Sequence, residues 1–390
     1  MKIGFFAYSE YSLNPYFEML RRRAHCAWVV FNWHLYRDLK SKKMGDASLV
    51  FFNNPLCLKL HPLINRIVNK CYKLLKMQPE QRTYELLISK ANADVWLTDT
   101  TLLINRMNKV SAPKILIFHS VTYKEYILIK ETTEYDLVLL PSEYFKQRMI
   151  QKFPHVDPKK LKVVGWPRND VYSNSAYSRE KTLRRLGLNP SKKTVIFAPT
   201  YDVFPRGRFF PEAWGCLKEN FSRLCHEMKK RNLNFIVKFH GASHEIIGNK
   251  ELRAIAEKHG VLWYNKINNA YLQDPRELLS ASDILISDVS GVIIDFLPLD
   301  RPIIYVDVPC KSFWEKADLT QEDRAGFCVR NMEELIRAIK EGLEKPYIYQ
   351  KERELLRSKV FYKPDGRASE RACSTIMEFM HQREGSHNFN

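Results

Sequence analysis

The stretch Ile284-Leu285-Ile286-Ser287-Asp288-Val289-Ser290-Gly291-Val292-Ile293-Ile294-Asp295 decides how the rest of the chain reads. It opens with a short apolar run, the mark of a strand buried on both faces of a parallel sheet. It breaks at Ser287-Asp288, passes Ser290-Gly291 and turns apolar again. That order predicts a strand, a tight turn and the start of a helix, with Ser290 as N-cap and Gly291 allowing a ligand close to the backbone. Amide groups at a helix start can hold a phosphate. A capped turn without a ligand is the competing reading.

The same strand-then-helix alternation runs outward in both directions. Toward the N-terminus, apolar runs at 2–7, 27–31, 48–52, 93–98, 114–118, 135–140 and 161–164 read as strands. A second series begins at 194–198 and continues at 234–239, 261–264, 284–286 and 303–306. Helical periodicity falls between them, at 213–231 and 250–259, and later at 333–343 and 370–381. Such alternation predicts parallel sheets, so the expected architecture is α/β: two Rossmann-like, doubly wound domains facing a cleft. The expected division is 1–170 for the N-terminal domain, a polar linker at 171–193, and 194–365 for the second domain. Residues 366–390 form a final helix and tail, able to pack back on the first domain.

At 390 residues, 45% hydrophobic and 27% charged, the chain is a folded protein with room for two cores. Its apolar runs are too short to span a bilayer, and residues 1–6 lack a signal-peptide layout. The formal charge of +18 favours anionic partners: nucleic acid, anionic lipid or polyanionic substrates. No RRM, KH or zinc-finger signature supports nucleic acid. Residues 56–77, apolar and lysine-bearing, read as a packed segment or as a basic amphipathic helix on a membrane surface. The eight cysteines show no CxxC or zinc spacing, so they are expected to be reduced and mostly buried, with no metal site.

Chemistry is expected at four turns after strands. His119 follows one apolar run and His240 another; a neutral imidazole there can take a proton from a hydroxyl or donate to a phosphate. A hydrogen-bonded structural histidine is the alternative for each. Pro199-Thr200 follows the first strand of the second series, and Ser290-Gly291 lies beside Asp288 and Asp295. Arg168 and Arg324 are candidate phosphate clamps, because guanidinium matches phosphate bidentately. The chain contains no GxxxxGK[ST], GxGxxG, HExxH or GxSxG element.

Taken in order, these turns resemble the CDP-glycerol glycerophosphotransferase family, which builds teichoic-acid-like polymers and capsules. Phe118-His119-Ser120-Val121-Thr122-Tyr123-Lys124 stands where the family has a WHGTPLK-like motif. Leu140-Pro141-Ser142-Glu143-Tyr144-Phe145 resembles its SEYF-type helix start, and Gly165-Trp166-Pro167-Arg168-Asn169-Asp170 its GYPRND. Phe197-Ala198-Pro199-Thr200-Tyr201 resembles YAPT-aromatic, and Lys238-Phe239-His240-Gly241 stands for RxHP. The opening stretch, from Ser287, stands for TDYSSVxFD; Arg324-Ala325-Gly326 falls near an RGP-like element, and Asp365-Gly366-Arg367-Ala368-Ser369 resembles DGxAS. Among the departures, Ser120-Val121-Thr122 replaces Gly-Thr-Pro, Gly241 replaces proline and Ser290-Gly291 replaces Ser-Ser.

The resemblance implies a GT-B-like fold with the nucleotide donor on the C-terminal domain. It implies metal-independent transfer of glycerol phosphate, or a related polyol phosphate, from a CDP-activated donor to a hydroxyl of a wall or capsule polymer or its lipid-linked primer. No cofactor is implied. His119 would be the base; His240, Ser290 and the amides near Gly291 would stabilise the diphosphate; Thr200 and Arg168 would position the donor. Site residues on this reading are His119 and His240 as catalytic, and Arg168, Pro199, Thr200, Ser290, Gly291, Asp295 and Arg324 as donor-binding. The partners expected are the CDP-activated donor, a polyol-phosphate or glycan acceptor and an anionic membrane surface, with the protein peripheral on the inner face of a bacterial membrane. A GT-B glycosyltransferase using a nucleotide-sugar is the alternative enzyme, and a basic nucleic-acid-binding protein the alternative from another class.

Overall fold

Among the described residues, short runs of apolar residues flanked by turn formers become twelve parallel strands in two sheets. The computed structural model describes residues 1–7, 19–30, 92–107, 110–118, 120–123, 125–173, 177–200, 220–240, 243, 249–264, 274–307 and 317–387. The expected strand at 48–52 and the amphipathic stretch at 56–77 lie outside these residues. The chain divides into two units. Unit 1 holds Met1–His119, Ile127–Arg168 and Tyr362–Asn390; unit 2 holds Ser120–Tyr126 and Asn169–Phe361.

In unit 1 the strands are β1 (Lys2–Ala7), β2 (His25–Val30), β3 (Val95–Thr98), β4 (Lys114–Ile117), β5 (Leu137–Leu140) and β6 (Leu161–Val163). Their order across the sheet is β2-β1-β3-β4-β5-β6, all pairs parallel. The terminal helix Ala368–His387 belongs to this unit and buries Ala372, Cys373, Ile376 and Met380, a stripe at helical spacing. One arginine joins two of the quoted motifs here. Arg371 donates to the carbonyl of Val164 at 2.9 Å, to both carboxylate oxygens of Asp365 at 2.8 Å and to the carbonyl of Lys363 at 2.9 Å. Gly165, between these groups, has φ +94°, and a Cβ there would meet the Tyr362 carbonyl at 2.7 Å. Only glycine fits that turn without strain.

Unit 2 contains β7 (Thr194–Phe197), β8 (Asn234–Val237), β9 (Leu262–Trp263), β10 (Ile284–Ser287), β11 (Ile303–Val306) and β12 (Phe327–Val329). The order is β12-β11-β10-β7-β8-β9, again all parallel. Counted within the unit, this is the 3-2-1-4-5-6 winding, whose switch point lies between β7 and β10. On one face, Val195, Phe197, Ile284, Ile286, Ile304 and Val306 form a core with two helices. Helix Phe221–Lys230 supplies Phe221, Leu224, Cys225 and Met228; helix Met332–Glu344 supplies Met332, Leu335 and Ile339. Residues 177–193 group with this unit and carry the helix Arg179–Arg185. Cys26, Cys225 and Cys373 are buried, and burial pushes each thiol up to about 12. Cys328 is exposed.

Candidate functional site

Parallel strands leave their carboxyl ends on one edge of the sheet, and at the switch point two neighbouring turns part to open a crevice. In unit 2 those turns are Ala198-Pro199-Thr200 after β7 and Asp288-Val289-Ser290-Gly291 after β10. One carboxylate ties them together. Asp288, 1% exposed, accepts from the amide of Thr200 at 3.0 Å, of Val289 at 2.6 Å and of Ser290 at 3.0 Å. Ser287 adds a second tie, its hydroxyl donating to the carbonyl of Ala198 at 2.7 Å.

This arrangement corrects the expected capping. Ser290 is not the N-cap of the helix Val292–Phe296; Gly291 is, with φ −61° and no side-chain cap. The carboxylate of Asp288, two residues upstream, accepts from the amides of Val289 and Ser290. The helix start falls one residue later than expected. Ser142 is similar. It precedes the helix Glu143–Lys152 as expected, but its hydroxyl makes no cap bond.

The structure brings most of the expected donor-side residues together on this edge. Pro199 and Thr200 are buried, as is Ser290. Asp295, 3% exposed, lies one helical turn from Gly291 and close enough to Arg276 to reinforce its charge. Burial opposes that charge, but bonds from Arg276 to Asp274 at 2.9 and 2.5 Å more than offset it, and its pKa is held above the usual value. His240 follows β8 by three residues and is exposed. Arg324 lies just before β12 and donates to Asp307 at 2.6 Å, at the end of β11. Burial works against ionisation of Asp307, but the bonds from Arg324 and Arg330 hold its pKa below the usual carboxylate value. Arg168 belongs to unit 1, where it is buried in the turn Pro167–Asn169. His119 lies outside the described residues.

Three features were not singled out as site residues from the sequence. The Asn169 carboxamide has its oxygen and nitrogen both buried without a hydrogen-bond partner among the described residues. Tyr123, fully buried, shares a 3.1 Å hydrogen bond with the Tyr305 hydroxyl and donates to the carbonyl of Asp323 at 2.9 Å. With the amide of Tyr126 donating to Asp318 at 3.1 Å, it anchors the residues after His119 in unit 2. The third is Lys238, 8% exposed at the end of β8.

Burial pulls the Lys238 ammonium down to about 8, with Asp274 partly opposing the shift. Below pH 8 both the folded and unfolded chain keep the proton, so the folded state carries the full cost of the buried charge. Between about 8 and 10.5 the folded state has shed its proton and the unfolded state has not, so stability rises with pH. Replacing Lys238 by Met should stabilise the protein at pH 7 by on the order of 2 to 3 kcal/mol. Urea titrations of both proteins from pH 7 to 10.5 should show that gain shrinking as the pH rises.

With this geometry established, comparisons with known proteins assign the chain. The family model described as CDP-Glycerol:Poly(glycerophosphate) glycerophosphotransferase matches residues 110–378. A teichoic acid poly(glycerol phosphate) polymerase of Bacillus spizizenii is 29% identical over 219 residues, 54% of this chain and 50% of that protein. The chain thus spans about half the length of that relative. A histidine-to-alanine variant of the wall teichoic acid polymerase TagF superposes with TM-score 0.67 at 17% identity, covering 98% of this chain and 90% of that one. A complex of Staphylococcus aureus MnaA with UDP gives TM-score 0.62 at 14% identity, with 98% and 97% coverage. These likenesses show a GT-B-like fold. With the matched model covering more than half of its residues, the chain belongs to the CDP-glycerol:poly(glycerophosphate) glycerophosphotransferase family.

Proposed function

We propose that the chain transfers glycerol phosphate, or a related polyol phosphate, from a CDP-activated donor to a hydroxyl of a wall polymer, releasing CMP. The observation that carries the reading is the gathering of the family's motif turns at the ends of β7, β8 and β10, around the switch point of unit 2. Such a crevice suits a nucleotide diphosphate. On this reading Thr200 and Ser290 position the diphosphate, and Arg168 and Arg324 contribute charge. Pro199 shapes the first turn, and Asp295 steadies Arg276.

The chemistry follows from these groups. An acceptor hydroxyl loses its proton to His119, and its oxygen attacks the β-phosphorus of the donor. The bond from that phosphorus to the bridging oxygen breaks, and CMP leaves with the electron pair. His240 and Lys238 follow β8, the strand beside β7, and on this reading they stabilise the developing charge; an approaching anion favours the protonated form of Lys238. Charge stabilisation by these side chains lets the reaction run without a metal ion. The charge of +18 suits an anionic donor, a polyol-phosphate acceptor, free or lipid-linked, and an anionic membrane face. No helix among the described residues is long and apolar enough to cross a membrane; the proposed position, peripheral on the inner face, rests on the positive charge.

The test is nucleotide release. With a polyol-phosphate acceptor, CDP-glycerol or CDP-ribitol should yield CMP, and UDP- or GDP-sugars should yield nothing. Release of UDP or GDP from the sugars instead would replace phosphotransfer by glycosyl transfer.

A further inference from the structure

Two departures from the family's motif pattern meet in space. Ser120 stands where the pattern has glycine, and Gly291 where it has serine; they are 171 residues apart in sequence yet both belong to unit 2. A Cβ built on Gly291 would fall on the Ser120 hydroxyl and meet Ser120 Cβ and Thr122 Cγ2 at 3.3 Å each. With the Ser120 hydroxyl as placed, a side chain at 291 has no room: Ser120 would have to turn its hydroxyl away and its Cβ give by a few tenths of an ångström. The backbone of Gly291 has φ −61°, so glycine is favoured there by this close approach and not by backbone strain.

The hydroxyl that fills the space is weakly used within the protein. Ser120 Oγ makes a long 3.4 Å contact with the carbonyl of its neighbour Val121, outside the usual O–H···O range of about 2.5–3.0 Å. It lies against the turn after β10, beside buried Ser290. The segment carrying it is held by Tyr123 and Tyr126, so its position is set by bonds independent of any ligand.

We propose that Ser120 is a positioning residue for the donor diphosphate, and that residues 120 and 291 act as one reciprocal pair. The hydroxyl that a serine at 291 would bring to this turn is brought here by residue 120, across a contact that glycine at 291 keeps open. This inference rests on the donor-binding reading above. Its geometric half, the clash of a side chain at 291 with the Ser120 hydroxyl as placed, does not.

The test is a four-protein cycle: wild type, S120G, G291S and the exchange S120G/G291S, with melting temperature and affinity for CDP-glycerol, inorganic pyrophosphate and cytidine measured for each. S120G should bind both diphosphates about tenfold to a hundredfold more weakly, the loss of one hydrogen bond to a charged group, with cytidine unaffected. G291S should melt lower than wild type. The exchange should recover both the melting temperature and diphosphate affinity to within about threefold. Additive losses in the exchange protein overturn the pairing. Unchanged diphosphate affinity in S120G overturns the positioning role while leaving the donor reading intact. Wild-type protein that binds neither diphosphate overturns the donor reading and the positioning role together, and the melting temperatures then decide the packing alone. Should G291S fail to fold, S120G and the exchange carry both comparisons.

Discussion

Replacing His119 by Ala should lower CMP release from CDP-glycerol by about a hundredfold to ten-thousandfold, the range of a lost general base. Donor affinity should stay within a few-fold of wild type. The expectation separates two roles that a histidine in this motif can have. A base touches the acceptor hydroxyl and acts only once that hydroxyl is in place, so its loss falls on turnover. A donor ligand would cost binding and turnover alike. The residues that follow bear on the choice. Val121 and Tyr123 are buried in unit 2, and Tyr123 keeps its proton because burial, and then the neighbouring Tyr305, push its pKa well above the usual value. The anchoring bonds come from Tyr123 and Tyr126, so replacing His119 should leave the anchored segment in place. Equal losses of affinity and turnover would move His119 from base to donor ligand.

The second large effect should come from Asp288. Changing it to Ala leaves the amides of Thr200, Val289 and Ser290 buried without their acceptor. An orphaned buried group costs about 1–3 kcal/mol, so three of them should cost about 3–9 kcal/mol together. Whole domains are stable by only about 5–15 kcal/mol, so unit 2 should be left near its unfolding limit. Donor affinity should fall with it, because the turns after β7 and β10 are held in register by this carboxylate. Urea unfolding measures the change. A loss below about 1 kcal/mol would mean that water or a neighbouring group replaces the carboxylate, and that the turns do not depend on it.

The strands were legible because a parallel sheet buried on both faces demands unbroken apolar runs, and Val195 to Phe197 or Ile284 to Ile286 satisfy it with few alternatives. Where burial relaxes, the signal fades. β12 has three residues, Phe327–Val329, with Cys328 exposed, and no apolar run announces it. The helix Gln350–Val360 was missed for another reason. It is mostly charged, and Arg353, 1% exposed, holds it by donating to Asp300 at 2.9 Å and to the carbonyls of Ile348 and Pro346. Reading arginines as solvated hides a helix docked through one.

At the site, the motif turns were visible as residue strings, but their partners were not. Asp288 and Ser290 lie two residues apart in the quoted stretch, and either residue type can cap a helix. The choice was made by the amide of Thr200, which the same carboxylate also accepts, and that residue is 88 positions away. The departures at Ser120 and Gly291 were each visible alone. Their contact required the fold.

The most direct measurement of the central claim is the structure of the protein bound to CDP-glycerol. The account predicts the diphosphate at the switch point of unit 2, within hydrogen-bond distance of Thr200, Ser120 or Ser290, with Asp288 still holding the turns. A nucleotide bound away from the ends of β7 and β10, with that crevice empty, would contradict it.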